Sequence, residues 1–161
     1  RRSELVALKV DDIEFCEQGM LIHIRKSKTD QAGKGKTHDV HFGSHEKTCP
    51  VKAVQDWLVE SEIREGAVFR RIDRHGNLGD NPIHGDSISR IIKKYAVMAG
   101  LDHEKYSSHS LRRGGITTSL RNGVRIEVTK GRSTHADMDT FLQYVEEAKR
   151  FQVNVTVAMG L

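Results

Sequence analysis

The apolar residues of this chain change from strand to helix period between Phe42 and Pro50, and that switch constrains the fold more than any other feature. From Ile13 to Phe42 they alternate in short runs, with Ile13 and Phe15, then Met20, Ile22 and Ile24, then Val40 and Phe42 at every second position. Alternation places successive side chains on opposite faces of an extended chain, the pattern of a half-buried strand. From Pro50 onward the spacing is three or four, as in Val51, Val54 and Leu58, which is the spacing of a helix with one buried stripe.

Residues 2–8 read as the end of a helix, with Leu5 and Leu8 apolar and no capping residue ahead of them. The first residue is therefore expected to be a fragment boundary, with sequence upstream missing. Strands are expected at Ile13–Cys16 and residues 20–25, joined by the turn Glu17-Gln18-Gly19, and a third at residues 38–42. Between the second and third, the polar stretch 26–36 contains Lys26, Lys28, Lys34 and Lys36 with two glycines and reads as a long basic hairpin tip. Helices are expected from Pro50 to about residue 65, over 86–99, over Ser108–Arg121, and over 126–132 and 137–147. Val68-Phe69 reads as a short extended piece and residues 73–81 as a loop. The segment after Phe151 fits a strand or a helix equally. The expected fold is mainly α with a small three-stranded antiparallel sheet, formed by one domain spanning residues 1–161.

Hydrophobic residues are 37% and charged residues 30% of the 161, values of a folded globular protein rather than a disordered one. No apolar run is long enough to span a bilayer, and no signal peptide is expected. With two cysteines a disulfide framework is not expected, which favours a reducing, cytosolic setting. The net charge of +4 and a pI near 9.1 favour a polyanionic partner only weakly. His38, His41, His45 and Cys49 are a candidate zinc set, but His38 and His41 point to opposite faces of a strand and no CxxC pair exists, so no metal is expected.

The chemistry lies in a handful of positions. His109 and Arg112 stand one helical turn apart and share a face. His135 and Tyr144 follow, nine residues apart, while Arg1 and Glu4 stand at the start and Lys28 at the hairpin tip. Singly each has an ordinary reading: a half-buried core tyrosine, a surface histidine, a solvated basic face, lysines in a polar loop. Together they resemble the tyrosine recombinases, the phage-integrase family. Arg1-Arg2-Ser3-Glu4-Leu5 is similar to the family's first arginine box, Ser27-Lys28-Thr29 to its hairpin lysine, His109-Ser110-Leu111-Arg112 to its His-x-x-Arg box, and His135 and Tyr144 to its last histidine and its nucleophile. One departure is Thr134, where relatives commonly carry glycine.

The resemblance implies the catalytic domain of the DNA breaking–rejoining fold, without the family's N-terminal core-binding domain. It implies that Arg1 and Arg112 hold the scissile phosphate, that Tyr144 attacks it, and that His109 accepts a proton or holds the phosphate. His135 then donates a hydrogen bond to the phosphate, Lys28 protonates the leaving 5′ oxygen, and Glu4 orients the others. Two guanidinium forks suit a phosphodiester in charge and shape. A phenol of pKa ~10 needs such help, since only about a thousandth of it is ionised at pH 7. No cofactor is implied.

Along the helix at 86–99, Ser87, Arg90 and Lys94 share a face that resembles the family's major-groove helix. Lys26, Lys34 and Lys36 are further candidate DNA contacts. The expected partner is double-stranded DNA, with a monomer in free solution and a homotetramer on paired sites, at the nucleoid and not at a membrane. The tail 151–161 is a candidate element for exchange between neighbours. Integration or excision of a mobile element is the expected role; topoisomerase IB-like relaxation, telomere resolution and a catalytically silent DNA-binding remnant stay open beside it.

Overall fold

A computed structural model describes residues 1–25, 35–133, 138–149 and 159, and the period switch falls between a three-stranded sheet and the first long helix. Helix α1 spans Arg2–Ala7 and leads through a short 3-10 turn, Val10–Asp12, into strands β1 (Ile13–Cys16), β2 (Gly19–Ile24) and β3 (Lys36–His41). The three pair antiparallel in the order β1-β2-β3, with Ile13 opposite Ile22 and Met20 opposite Val40. That register puts Ile13, Ile22, Met20 and Val40 on one face, where they pack with Cys49, Val51 and Val54. Gly19 permits it. A Cβ there would lie 2.1 Å from the Val40 carbonyl oxygen, and the backbone has φ 151°, so only glycine lets β3 approach.

Helix α2 (Pro50–Glu60) starts as its sequence suggests, with proline in the first turn. The cap is unusual: the buried Cys49 sulfur accepts the backbone N–H of Gly43 at 3.2 Å and of Lys52 at 3.5 Å. These hydrogen bonds, Lys52 first and then Gly43, draw the thiol pKa below its ordinary value. The helix stops short of residue 65 because Glu62 takes a left-handed φ of 54°. Ile63 is buried after the turn, so an apolar residue at helical spacing reaches the core without belonging to the helix.

Of residues 73–81, expected to form a loop, 73–77 are the turn of a second sheet and 78–81 belong to one of its strands. Strands β4 (Arg70–Ile72) and β5 (Leu78–Pro82) pair antiparallel, and the turn between them is tied by Asp73. Its carboxylate accepts the N–H of His75 at 2.7 Å, the N–H of Asn77 at 2.9 Å and the Asn77 amide at 2.9 Å. Val68 is fully buried, its carbonyl accepts the Trp57 indole N–H at 2.8 Å, and its N–H donates to Leu8.

Helix α3 (Gly85–Met98) follows, and the chain divides within it into two units, Arg1–Ile91 and Ile92–Leu161. The second unit holds α4 (Ser108–Arg121), α5 (Ile126–Ser133) and α6 (Met138–Lys149). Its core is Ile116 and Leu120 of α4 against Phe141, Val145 and Ala148 of α6, a set at three- and four-residue spacing on both helices. Phe141 is entirely buried. Phe141→Ala is expected to cost about 3–5 kcal/mol, as a cavity the size of a ring cannot close. Denaturant unfolding checks this, and a cost below about 1 kcal/mol would place the ring outside the core.

Candidate active site

Arg1 is the residue that caps α1. Its carbonyl accepts the N–H groups of Glu4 and Leu5 at 3.1 and 3.0 Å, and its guanidinium meets the Glu4 carboxylate at 2.9 Å. Both side chains are largely covered, so the carboxylate orients the guanidinium in a partly desolvated setting. The Arg1 guanidinium beside the Glu4 carboxylate favours its anionic form.

In the second unit His109 and Arg112 both lie in the first turns of α4. Ser107 caps this helix, accepting the Ser110 N–H, and Ser110 returns the bond to the Ser107 N–H at 3.0 Å. The cap fixes where the helix begins, and so turns His109 and Arg112 to one side. His109 is exposed, in the turn where unpaired backbone N–H groups carry partial positive charge. Arg112 is half-buried and its Nη2 donates to the carbonyl of Ser133, the last residue of α5. A helix-end carbonyl lacks an intrahelical partner, so a guanidinium there is both satisfied and aimed. The Arg112 and Ser133 side chains border an open cleft between α4 and α5 with Ile116, Val128 and Arg132.

Tyr144 is half-buried on α6 and packs against the core of Ile116, Leu120, Phe141, Val145 and Ala148. The neighbouring Arg113 is exposed and bound to Glu147 of α6 at 2.7 Å. One of the two adjacent arginines therefore turns to α5 and the cleft, and the other clasps α6.

On α3, Arg90 Nη2 donates to Ser87 Oγ at 3.3 Å and Lys94 is exposed. Lys93, beside them, is held by both oxygens of Glu104 at 3.1 and 3.0 Å. Lys36 begins β3, exposed, opposite Ile24. Lys26, Lys28, Lys34, His135 and most of the tail 151–161 lie outside the described residues.

Among the described residues no three His, Cys, Asp or Glu side chains come together as a metal site would require. His41 turns to Asp39 at 3.1 Å, and Cys49 serves as the helix cap. No helix of the described residues is long and apolar enough to cross a membrane. Sequence reasoning passed over one feature near the site: Asp12 is buried and bound to Arg25. Its only signal is a carboxylate set between Val10 and Ile13 at the edge of a strand.

A family model of the phage integrase family matches residues 1–150. An integrase/recombinase xerD homolog from Selenomonas ruminantium is 32% identical over 154 residues, which cover 96% of this chain and 45% of that protein. Tyrosine recombinase XerD of Proteus mirabilis is 28% identical, over 92% of this chain and 44% of its own length. Among solved structures, XerA recombinase matches with a TM-score of 0.69 at 25% identity, covering 94% of this chain and 50% of that one. XerH site-specific recombinase bound to palindromic difH substrate, a post-cleavage complex, shares the fold with a TM-score of 0.72 at 19% identity, covering 100% of this chain and 42% of that one.

The chain belongs to the phage integrase family, the tyrosine recombinases, and has the fold of their catalytic domain. It spans about half the length of the curated relatives it matches.

Proposed function

We propose that this chain is the catalytic part of a site-specific DNA recombinase that cuts and rejoins strands through a 3′-phosphotyrosyl bond at Tyr144. The observation that carries the reading is the order and spacing of Arg1, Lys28, His109, Arg112, His135 and Tyr144 within the stretch that matches the family. The setting of three of them supports it: His109 and Arg112 on one face of α4, and Tyr144 on the helix packed against α4.

In the proposed reaction the Tyr144 oxygen attacks phosphorus while Arg1 and Arg112 bind the non-bridging oxygens and oppose the charge they gain. His109 takes the phenolic proton or holds the phosphate, and His135 donates a hydrogen bond to it. The bond from phosphorus to the 5′ oxygen breaks, and Lys28 supplies the proton that spares a strongly basic alkoxide. A free 5′-hydroxyl then attacks the phosphotyrosine, which releases Tyr144 and closes a strand; if it comes from another duplex the product is recombinant. None of these steps calls for a cofactor.

The proposed partner is double-stranded DNA carrying a recombination site, bound by a homotetramer on paired sites that forms from free monomers. Ser87, Arg90 and Lys94 are proposed to face the DNA along α3, with Lys26, Lys34 and Lys36 near the hairpin tip. The engagement of Lys93 with Glu104 favours this face over a general basic helix. Residues 1–161 are proposed to work behind an N-terminal core-binding domain, in the integration or excision of a mobile element.

The test is an SDS-resistant adduct. The intact protein, with whatever precedes Arg1, is mixed with nicked DNA carrying its attachment site. An adduct on the 3′-phosphate side is expected. Salt-sensitive binding without adduct would mean a DNA-binding remnant, and strand relaxation at no defined site would mean a topoisomerase-like activity.

A further inference from the structure

Asp12 is the one charged residue that is buried among the described residues, and the reaction outlined above does not use it. A carboxylate withdrawn from water is costly unless it is paired and hydrogen-bonded. Asp12 has both kinds of partner. Oδ2 accepts the backbone N–H of Lys9 at 2.9 Å, and Oδ1 accepts Nε of Arg25.

The place of this pair in the chain gives it meaning. Asp12 sits in the turn between α1, which carries Arg1 and Glu4, and β1. Arg25 directly follows the last residue of β2 and stands three residues before Lys28. On the β1 side, the ladder that holds β2 ends at the pair Ile13–Ile22. Beyond it β2 has a strand partner only in β3, where Ile24 lies opposite Lys36. The Asp12–Arg25 bond takes over on the side where the ladder has run out. Glu4, Leu8, Asp12, Ile24 and Arg25 line one small cleft, so the pair closes the gap between the Arg1 helix and the end of β2.

We infer that Asp12 and Arg25 form a positioning pair for the leaving-group proton donor: they fasten the end of β2 to the turn after α1, and so set the point from which the segment bearing Lys28 departs relative to Arg1. This rests on the recombinase reading and on Lys28 as donor. An Arg25 side chain merely covering a surface carboxylate would not need its partner buried, and Asp12 is.

The experiment uses the intact protein and two DNA substrates, one ordinary and one with sulfur in place of the bridging 5′ oxygen at the scissile phosphate. The sulfur substrate loses a thiolate, which departs with its electron pair and needs no proton. Arg25→Ala is expected to slow single-turnover cleavage of the ordinary substrate by about 10–100-fold, part of what a proton donor contributes, and to cleave the sulfur substrate nearly as fast as the wild type. Arg25→Ala leaves a buried carboxylate without its cation and can loosen the turn. The double variant Asp12→Asn, Arg25→Ala buries no charge, and the same sulfur-specific recovery is expected of it. Equal slowing on both substrates, or no slowing on either, overturns the inference. Lys28→Ala separates the layers: if sulfur rescues Lys28→Ala but not the Arg25 variants, the pair is not a positioning device and the donor stands. If sulfur fails to rescue Lys28→Ala, the donor assignment falls and the inference falls with it.

Discussion

Tyr144→Phe is expected to abolish the covalent protein–DNA adduct, lowering it by at least about a thousandfold, while DNA binding stays at its wild-type value. The expectation is sharp because the ring and the hydroxyl have separable duties. The ring is half-buried against Ile116, Leu120 and Phe141, and phenylalanine keeps all of that surface. What it removes is the one oxygen on α6 that the proposed reaction makes a nucleophile. A structural tyrosine would show the reverse, a small loss of stability and an unchanged adduct. The chain has three tyrosines, and the others are Tyr95 and Tyr106. An adduct that survives Tyr144→Phe would move the nucleophile to one of them and break the register of the whole His109–Arg112–His135–Tyr144 series. Gel separation under denaturing conditions with labelled DNA reads the result directly.

Apolar periodicity sees only residues that seek the core, and its successes and failures divide along that line. Helices α4 and α6 follow from their stripes because Ile116, Leu120, Phe141 and Val145 are what holds them together. The β4–β5 hairpin is invisible to that periodicity because its strands have almost no apolar alternation. Residues 78–81 are read as loop from composition, yet they are paired by backbone bonds to β4 across a turn tied by the Asp73 carboxylate. Apolar spacing overextends α2 for the opposite reason, since Ile63 keeps that spacing after Glu62 has turned the chain.

Within the candidate site the same division holds. The family's boxes are runs of neighbouring residues and can be read directly. Which charged side chain is spoken for depends on distant partners. Helical spacing sets Lys94 with Ser87 and Arg90, but the binding of Lys93 by Glu104 is visible only in the fold. The Asp12–Arg25 pair joins a turn to a strand end and becomes visible only once β1 and β2 have folded back on each other.

Arg112 and Arg113 make the largest contrast of this kind, and they carry the second prediction. Arg112→Ala is expected to slow single-turnover cleavage by about 10²–10³-fold or more, the loss seen when a preorganised donor to a developing oxyanion is removed. Arg113→Ala is expected to change it by less than about threefold, because an exposed ion pair with Glu147 adds little beyond a clasp between α4 and α6. Arg112→Lys decides what Arg112 supplies. Lysine keeps the charge but loses the planar fork, and the Ser133 carbonyl loses the guanidinium that holds the end of α5. If geometry matters as much as charge, Arg112→Lys stays close to Arg112→Ala in rate. Full recovery with lysine would reduce Arg112 to a point charge. An Arg113→Ala defect larger than that of Arg112→Ala would mean that the face of α4 turned toward Glu147, and not the face turned toward α5, is the one that meets the phosphate.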